Sequence, residues 1–270
     1  GLVPIAGFGV PPIDRNTDDT RFFQKYALGA RWYPVRRVTI DAEGYYKLNQ
    51  YDYDHLVDST PNTATSFNRY PAYLVTQDLD TWDGNLRLTL KPRDNVTLVS
   101  RYEYQWSTID TAPDAISGLS EVESSTIQSH ILGQDVSWSP WSRLALQAGF
   151  NYVLSDTRTP ASEVTQAILN AQNNYWTLNF SSTFVVNDLT DLNLGYFYYR
   201  ADNYENNSPA GVPLGAGAEE HGVTAGVVRQ ISKNMRLSLK YGYFHYTDET
   251  YGGNQDFDAH MVYSSLRYRF

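Results

Sequence analysis

The sequence predicts an all-β fold in which antiparallel strands follow one another up and down. Runs of about ten residues or more alternate apolar and polar side chains, which is the pattern of a strand with two different faces. Short polar turns recur along the chain, and longer segments rich in Asp, Asn, Ser, Pro and Gly lie between them. Helical periodicity fails in every run that follows a short turn. We therefore expect β-strands that are joined by short turns and longer loops.

The short turns define a repeat. They begin at Pro34, Pro92, Pro140, Asn187 and Ser232, and the last four starts are roughly 45–48 residues apart. The longer connections are expected at roughly 54–71, 109–124, 156–173, 203–219 and 248–257. Each repeat is thus one hairpin and one long loop. Short turns on one side and long loops on the other are typical of a transmembrane β-barrel, whereas a soluble sandwich mixes both lengths at each end.

Eleven strands are predicted, and each has one apolar and one polar face. In the run that begins at Trp176, Leu178 and Phe180 share the face of the tryptophan, and Asn179 and Ser181 lie on the other. Because a polar face cannot meet lipid, it is expected to line the interior. The strands are expected at approximately 20–33, 38–53, 72–91, 96–108, 125–139, 144–155, 174–187, 191–202, 220–231, 236–247 and 258–270.

Composition excludes several classes of protein. Hydrophobic residues make up 41% of the chain and the mean hydropathy is −0.47. No apolar run approaches the roughly 20 residues that a membrane helix needs, so a helical membrane protein is excluded. The chain has no cysteine, which excludes disulfides, thiolate metal sites and covalent haem attachment within it. A net charge of −9 disfavours nucleic acid as a partner. The 22 Tyr and 6 Trp suit both strands and membrane interfaces.

The last strand, Asp258 to Phe270, carries a specific resemblance. Its alternate residues are mostly apolar, and it ends in Phe with an aromatic two residues earlier. In this it resembles the C-terminal strand of Gram-negative outer-membrane β-barrel proteins, with Ser264 as a departure. The resemblance implies a location in the cell outer membrane and a strand that the barrel-assembly machinery reads. The residues that match this assembly signal are Val262, Leu266, Tyr268 and Phe270.

The strand number raises a question about the start of the chain. Counting back from Phe270 places the short turns in the periplasm and residues 1–19 outside, as an extracellular loop or a partial first strand before a barrel over 20–270. Bacterial barrels of one chain have an even number of strands with both termini in the periplasm. Either Gly1–Val10 therefore supplies a twelfth strand, or the sequence is the C-terminal part of a larger barrel. We expect the second, since this segment alternates poorly and holds prolines.

Charged residues of both signs are predicted on the polar face. They either line a hydrated pore and shape its electric field, or pair across strands and fill a narrow, plugged barrel. The sequence does not decide between a hydrated pore and a plugged barrel, and a wider barrel would favour the hydrated pore. The predicted pore-lining residues are Arg31, Asp41, Glu43, Lys47, Asp83, Arg87, Arg101, Glu103, Asp135, Lys240, Arg267 and Arg269.

No cofactor, metal site or catalytic activity is expected. His221, His245 and His260 fall near the outer ends of the last strands, but their parity points them to the apolar face. Ser129 and His130 are adjacent and therefore face opposite sides, so they cannot form a nucleophile–base pair. The acidic loops lack the EF-hand pattern, and no hydrolase or phosphate-loop motif is present. We expect a protein that is not an enzyme.

Three functions remain as hypotheses. The first is a porin-type outer-membrane channel for passive passage of small hydrophilic solutes. The second follows from a loose resemblance to the barrel subunit of porin–cytochrome conduits, in which the barrel sheathes a separate multihaem cytochrome. The third is a structural or adhesive surface barrel. The expected partners are outer-membrane lipid and lipopolysaccharide, the barrel-assembly machinery, and either further copies of the chain or a separate cytochrome.

Overall fold

The protein is all-β. The computed structural model describes residues 17–55, 74–113, 120–159, 171–204, 216–250 and 252–269. Within these ranges no helix has the length and hydropathy needed to cross a membrane. The strands are β1 (Thr17–Trp32), β2 (Val38–His55), β3 (Leu74–Arg93), β4 (Val96–Pro113), β5 (Val122–Trp141), β6 (Leu144–Arg158), β7 (Ala171–Gln172), β8 (Tyr175–Asn187), β9 (Thr190–Asp202), β10 (Gly217–Ser232), β11 (Met235–Asp248) and β12 (Phe257–Tyr268).

The strands form one antiparallel sheet in chain order. Eleven long strands follow one another from β1 to β12, and the two-residue β7 pairs only with the end of β6. The predicted fold class and the predicted long strands are therefore confirmed. Gly1–Val10, the less favoured of the two explanations for an odd strand number, lies outside the described residues. In the described part of the chain β1 and β12 do not pair with each other. Because directions alternate along the sheet, these two edge strands run the same way.

The short turns all lie at one end of the sheet. Two residues connect the strands at 94–95, 142–143, 188–189 and 233–234, and five residues connect β1 to β2. Arg37 ends that longer turn with a left-handed backbone (φ 75°). Its guanidinium donates to the Pro92 carbonyl at 3.2 Å and to the Asp94 carboxylate at 2.7 Å, which ties the first turn to the second. The remaining connections, at the other end, are longer.

One face of the sheet is apolar and uncovered. Directly paired residues point to the same side, so the register assigns every side chain to a face. Large apolar side chains dominate one face and remain exposed, with Leu28 at 83% and Val262 at 80%, because the sheet is a single layer. Among the described residues the buried apolar side chains are only Val153, Tyr198, Ala201 and Ala218. We call this apolar side the outer face and the opposite side the inner face.

Aromatic residues border the outer face. Trp82 and Trp106 pair directly across β3 and β4, and the Tyr46 ring lies 4.6 Å from that of Trp82. From Trp82 to Leu90, near the short turn, β3 runs about 27 Å, or about 20 Å of height at the usual strand tilt. Trp32 and Trp138 are exposed near the short turns. An apolar band of this height between aromatic girdles matches the hydrocarbon layer of an outer membrane.

Candidate functional site

All twelve residues predicted to line a pore lie on the inner face. The register pairs link them across neighbouring strands or place them at even spacing along one strand. Whether water fills the space in front of them stays a prediction. They are Arg31, Asp41, Glu43, Lys47, Asp83, Arg87, Arg101, Glu103, Asp135, Lys240, Arg267 and Arg269.

Only some of these charged residues form ion pairs with one another. Arg31 forms an ion pair with Asp41 on the neighbouring strand. Arg101 reaches Asp135 at 3.2 Å and Asn151, two strands away, at 3.3 Å. This reach depends on Gly133, where an added Cβ would lie 3.1 Å from the guanidinium. Among the described residues the other charged members of the set make no ion pair: Glu43, Lys47, Asp83, Arg87, Glu103, Lys240, Arg267 and Arg269.

Asp83 is the anomaly of the inner face. It is 7% exposed, and neither carboxylate oxygen has a hydrogen-bond partner among the described residues. Its direct neighbours, Tyr45 and Gln105, are joined across it by a 3.2 Å hydrogen bond from the amide to the phenol. This bridge lies over the carboxyl group, and neither oxygen makes a well-aligned hydrogen bond within 3.5 Å. The Tyr45 hydroxyl and the Glu103 carboxyl group are its polar neighbours. A buried carboxylate without donors is costly.

Sequence reasoning missed several inner-face groups. Lys25 lies 3.8 Å from the centre of the Tyr45 ring, and Arg21 donates to Asn49 at 2.7 Å. Asp191 lies 3.6 Å from Arg236 on a strand two positions away in the sheet. Lys25 and Arg21 have the same parity as Arg31 within β1, so extending the alternation along the whole strand could have found them.

The inner face divides into a charged part and a neutral part. The charges named above concentrate on β1 to β5, whereas the midsections of β6, β8, β9 and β10 present amides, hydroxyls, glycines and Phe197. Asn151 donates to Thr177 at 3.3 Å, and Thr183 donates to Asn193 at 2.9 Å. The neutral part can therefore bind solutes by hydrogen bonds without a strong net field.

His221, His245 and His260 lie on the outer face, as the parity predicts, and so does His130. His130, His221 and His260 each face a Tyr-x-Tyr pair on the neighbouring strand. Within each group the first tyrosine hydroxyl lies 2.7–2.9 Å from Nδ1, and the centre of the second tyrosine ring lies 4.6–5.2 Å from that of the imidazole, with the two planes tilted or edge-on. The three tyrosine pairs are Tyr102 and Tyr104, Tyr196 and Tyr198, and Tyr241 and Tyr243. These groups extend the aromatic girdle around the sheet.

Ser129 and His130 point to opposite sides of the sheet, as their adjacency in one strand predicts. Ser129 is on the inner face and bonds the Ser155 hydroxyl at 2.9 Å, while His130 is on the outer face. His221 and His245 are direct neighbours across β10 and β11, and His245 lies 2.9 Å from Asp258. In the ranges that the structure describes, no group of three or more His, Asp or Glu is arranged to hold a metal ion.

The proposed assembly signal lies on the outer face. Val262, Leu266 and Tyr268 pair with outer-face residues of β11 and are 80%, 63% and 55% exposed. Phe270 lies outside the described residues. The role of these residues in assembly stays a prediction.

An acidic cluster stands above the girdle on the outer face. Asp110 is directly opposite both Asp78 and Glu123, and it lies about 13 Å of strand beyond Trp106, outside the hydrocarbon band. Partial burial, reinforced by Glu123 and the neighbouring carboxylates, raises the pKa of Asp110 above its ordinary value. These side chains stand at the level of the lipid headgroups.

This cluster predicts a pH dependence of stability. Because the pKa of Asp110 is higher in the folded protein than in the unfolded chain, folding binds a proton there. The contribution to stability is therefore full below the ordinary carboxyl pKa of about 4 and is lost as the pH rises through the raised value. Asp110→Asn should flatten this part of the stability profile in denaturant titrations between pH 3 and 7. Asp188→Asn makes the same change in the β8–β9 turn, away from the cluster, and an equal effect of both substitutions would contradict the prediction.

Comparisons with known proteins show the fold. No protein-family model and no curated protein matches the chain. Among solved structures, the copper transporter OprC superposes with a TM-score of 0.61 at 14% identity, over 90% of this chain and 42% of that one. The FrpB iron transporter from Neisseria meningitidis gives 0.56 at 10% identity, over 95% and 42%. BauA, the ferric preacinetobactin receptor from Acinetobacter baumannii, gives 0.55 at 11% identity, over 93% and 43%.

The chain spans less than half the length of each of these structures. At these identities the likeness concerns the fold, which is that of outer-membrane β-barrel proteins. The apolar band between aromatic girdles agrees with it and places the chain in the cell outer membrane.

Proposed function

We propose that the chain forms part of the wall of an outer-membrane channel that lets small hydrophilic solutes pass passively. The observation that carries the proposal is the difference in polarity between the two faces of the sheet. The inner face presents charged, amide and hydroxyl groups along the full set of strands, while the outer face is apolar and uncovered. A polar face of this extent requires water or another polar surface in front of it.

The state of the inner charges favours water over a tightly packed interior. If the lumen were filled by cross-strand pairs, most charges would meet a partner of opposite sign. Instead Glu43, Lys47 and Arg87 make no ion pair within the described ranges. Charges of both signs on a hydrated wall would create local fields without a strong overall preference for anions or cations.

The similar structures support transport in general terms. OprC is described as a copper transporter and FrpB as an iron transporter. Their cargo does not carry over at 10–14% identity, and the described inner face offers no cluster suited to a metal ion. None of the three structures named above supports the porin–cytochrome resemblance. Passive passage of small hydrophilic solutes is the function that we propose.

The test is conductance of the protein as extracted from the outer membrane in detergent. Its intact mass and absorption spectrum are recorded first, and it is then inserted into planar bilayers in KCl. We expect discrete conductance steps and no haem absorbance. The double variant Glu43→Gln and Glu103→Gln should shift the reversal potential in a salt gradient toward anion preference, since two inner carboxylates are lost.

Glu123→Gln is the control for each of the two substitutions, because it makes the same Glu→Gln change on the outer face above the girdle. It should leave the reversal potential unchanged. A haem Soret band that travels with the protein would replace the proposal with the electron-conduit hypothesis. A folded, haem-free protein without conductance would leave the structural or adhesive hypothesis instead.

A further inference from the structure

A groove crosses the neutral part of the inner face. It has a volume of about 470 Å³ and runs over β5, β6, β8, β9, β10 and β11. Five strand spacings correspond to about 24 Å, so the groove is elongated across the strands. A volume of this size is within the usual range of small-molecule sites.

Glycines set the shape of the groove. The Phe244 ring lies against the backbone between Gly222 and Gly242, where an added Cβ would come within 3.0 and 2.9 Å of the ring. At Gly195 an added Cβ would come within 2.7 Å of the Thr224 hydroxyl. Side chains at these positions would push the aromatic ring and the hydroxyl away from the sheet. The glycines therefore keep the groove open and hold an aromatic ring close to its floor.

Hydrogen-bonding groups without protein partners lie along the groove, from the strand next to this ring to strands three and four positions away. The side chains of Gln147, Asn179, Ser181 and Thr224 line the groove, and within the described ranges none of them hydrogen-bonds another side chain or the backbone. Amides and hydroxyls can both donate and accept, so they suit a ligand that does the same.

The groove is almost free of charge. Asp135 is its one charged lining residue among those described, and that carboxylate already meets Arg101 at 3.2 Å. A ligand that carried a net charge would find no free counter-charge there. The chemistry therefore selects a neutral, hydroxyl-rich molecule with an apolar face.

We infer that this groove binds a saccharide, most suitably a short linear oligosaccharide. A sugar ring offers a face of C–H groups, which packs on Phe244 and Phe197, and a rim of hydroxyls, which the amides and hydroxyls of the groove bind directly or through water. The inference names a solute class for the proposed passage and rests on that function, but binding to the groove is measurable without conductance.

The test uses the extracted protein in detergent and maltotriose as the probe, followed by calorimetry and saturation-transfer NMR. We expect saturable binding of maltotriose and none of citrate, a small trianion. Asn179→Ala should weaken binding about fivefold through the loss of one hydrogen bond. Phe244→Leu, which keeps apolar volume without a flat face, should weaken it about tenfold.

Thr89→Ala is the matched control, because it alters an inner-face hydroxyl on β3 outside the groove. It should leave maltotriose affinity unchanged, and gel mobility before and after heating confirms that each variant is folded. Absence of saturable binding, or binding that both groove variants retain in full, would overturn the inference. Binding without conductance would support the saccharide site and contradict the proposed passage of solutes. Conductance without binding would support the passage and contradict the saccharide site.

Discussion

Leu86→Arg should destabilise the protein in a lipid bilayer by about 2–4 kcal/mol, the cost of a cation on the lipid face near the midplane of a barrel. Leu86 is on the outer face, 48% exposed in the protein alone, and midway along β3 between Trp82 and Leu90. An arginine there would enter the centre of the apolar band, where neither water nor a counter-charge is present. The measurement is the free energy of unfolding by denaturant in phospholipid vesicles.

Asn85→Arg provides a matched control at the adjacent residue of the same strand. Asn85 is on the inner face and is directly opposite both Glu43 and Glu103, so a new cation there meets two carboxylates. Its effect should stay within about 0.5 kcal/mol. Equal destabilisation by both substitutions would contradict the assignment of the two faces.

Asp83→Asn should stabilise the protein by about 1–3 kcal/mol, since it removes the charge of a buried carboxylate that lacks hydrogen-bond donors. The amide has nearly the same shape, so the bridge between Tyr45 and Gln105 should be retained. The substitution also supplies two N–H donors close to the neighbouring strands. The same unfolding experiment in vesicles gives the result.

Asp135→Asn makes the same chemical change at a carboxylate that is paired and partly exposed. Asp135 is paired with Arg101 at 3.2 Å, and both side chains are nearly half exposed. The loss of such a pair should cost at most about 1 kcal/mol. A destabilising effect of Asp83→Asn would show that this carboxyl group gains more from its surroundings than the geometry indicates.

The alternation of side chains determined much of the fold before any coordinates. It separated Leu86 from Arg87 and Leu178 from Asn179, and the register confirms those faces. This works because successive side chains of a strand must point to opposite sides, so parity alone assigns a face in a single-layer sheet. The predicted short turns succeed for a related reason, since tight connections need turn residues that the sequence displays.

The sequence also determined the composition of the inner face but not its arrangement. The parity of Lys25 was available within the strand predicted at 20–33 and was missed. The contact of Arg101 with Asn151 could not be predicted, because it depends on the register that places Gly133 between them. Register is a relation between strands, and the pattern within one strand does not contain it.

The two sites with the largest consequences come from tertiary structure alone. Asp83 is buried without a well-aligned hydrogen bond because the register places Tyr45 and Gln105 on either side of it, and their hydrogen bond passes over its carboxyl group. The groove exists because Gly195, Gly222 and Phe244 lie on three neighbouring strands, β9, β10 and β11. Gly222 is directly opposite Phe244, and Gly195 is directly opposite Thr224, two residues further along β10. The sequence by itself determined strands, faces and the membrane location. Which charges are paired, and where a solute could bind, were decided by pairing between strands, because those properties depend on distances across the sheet rather than along the chain.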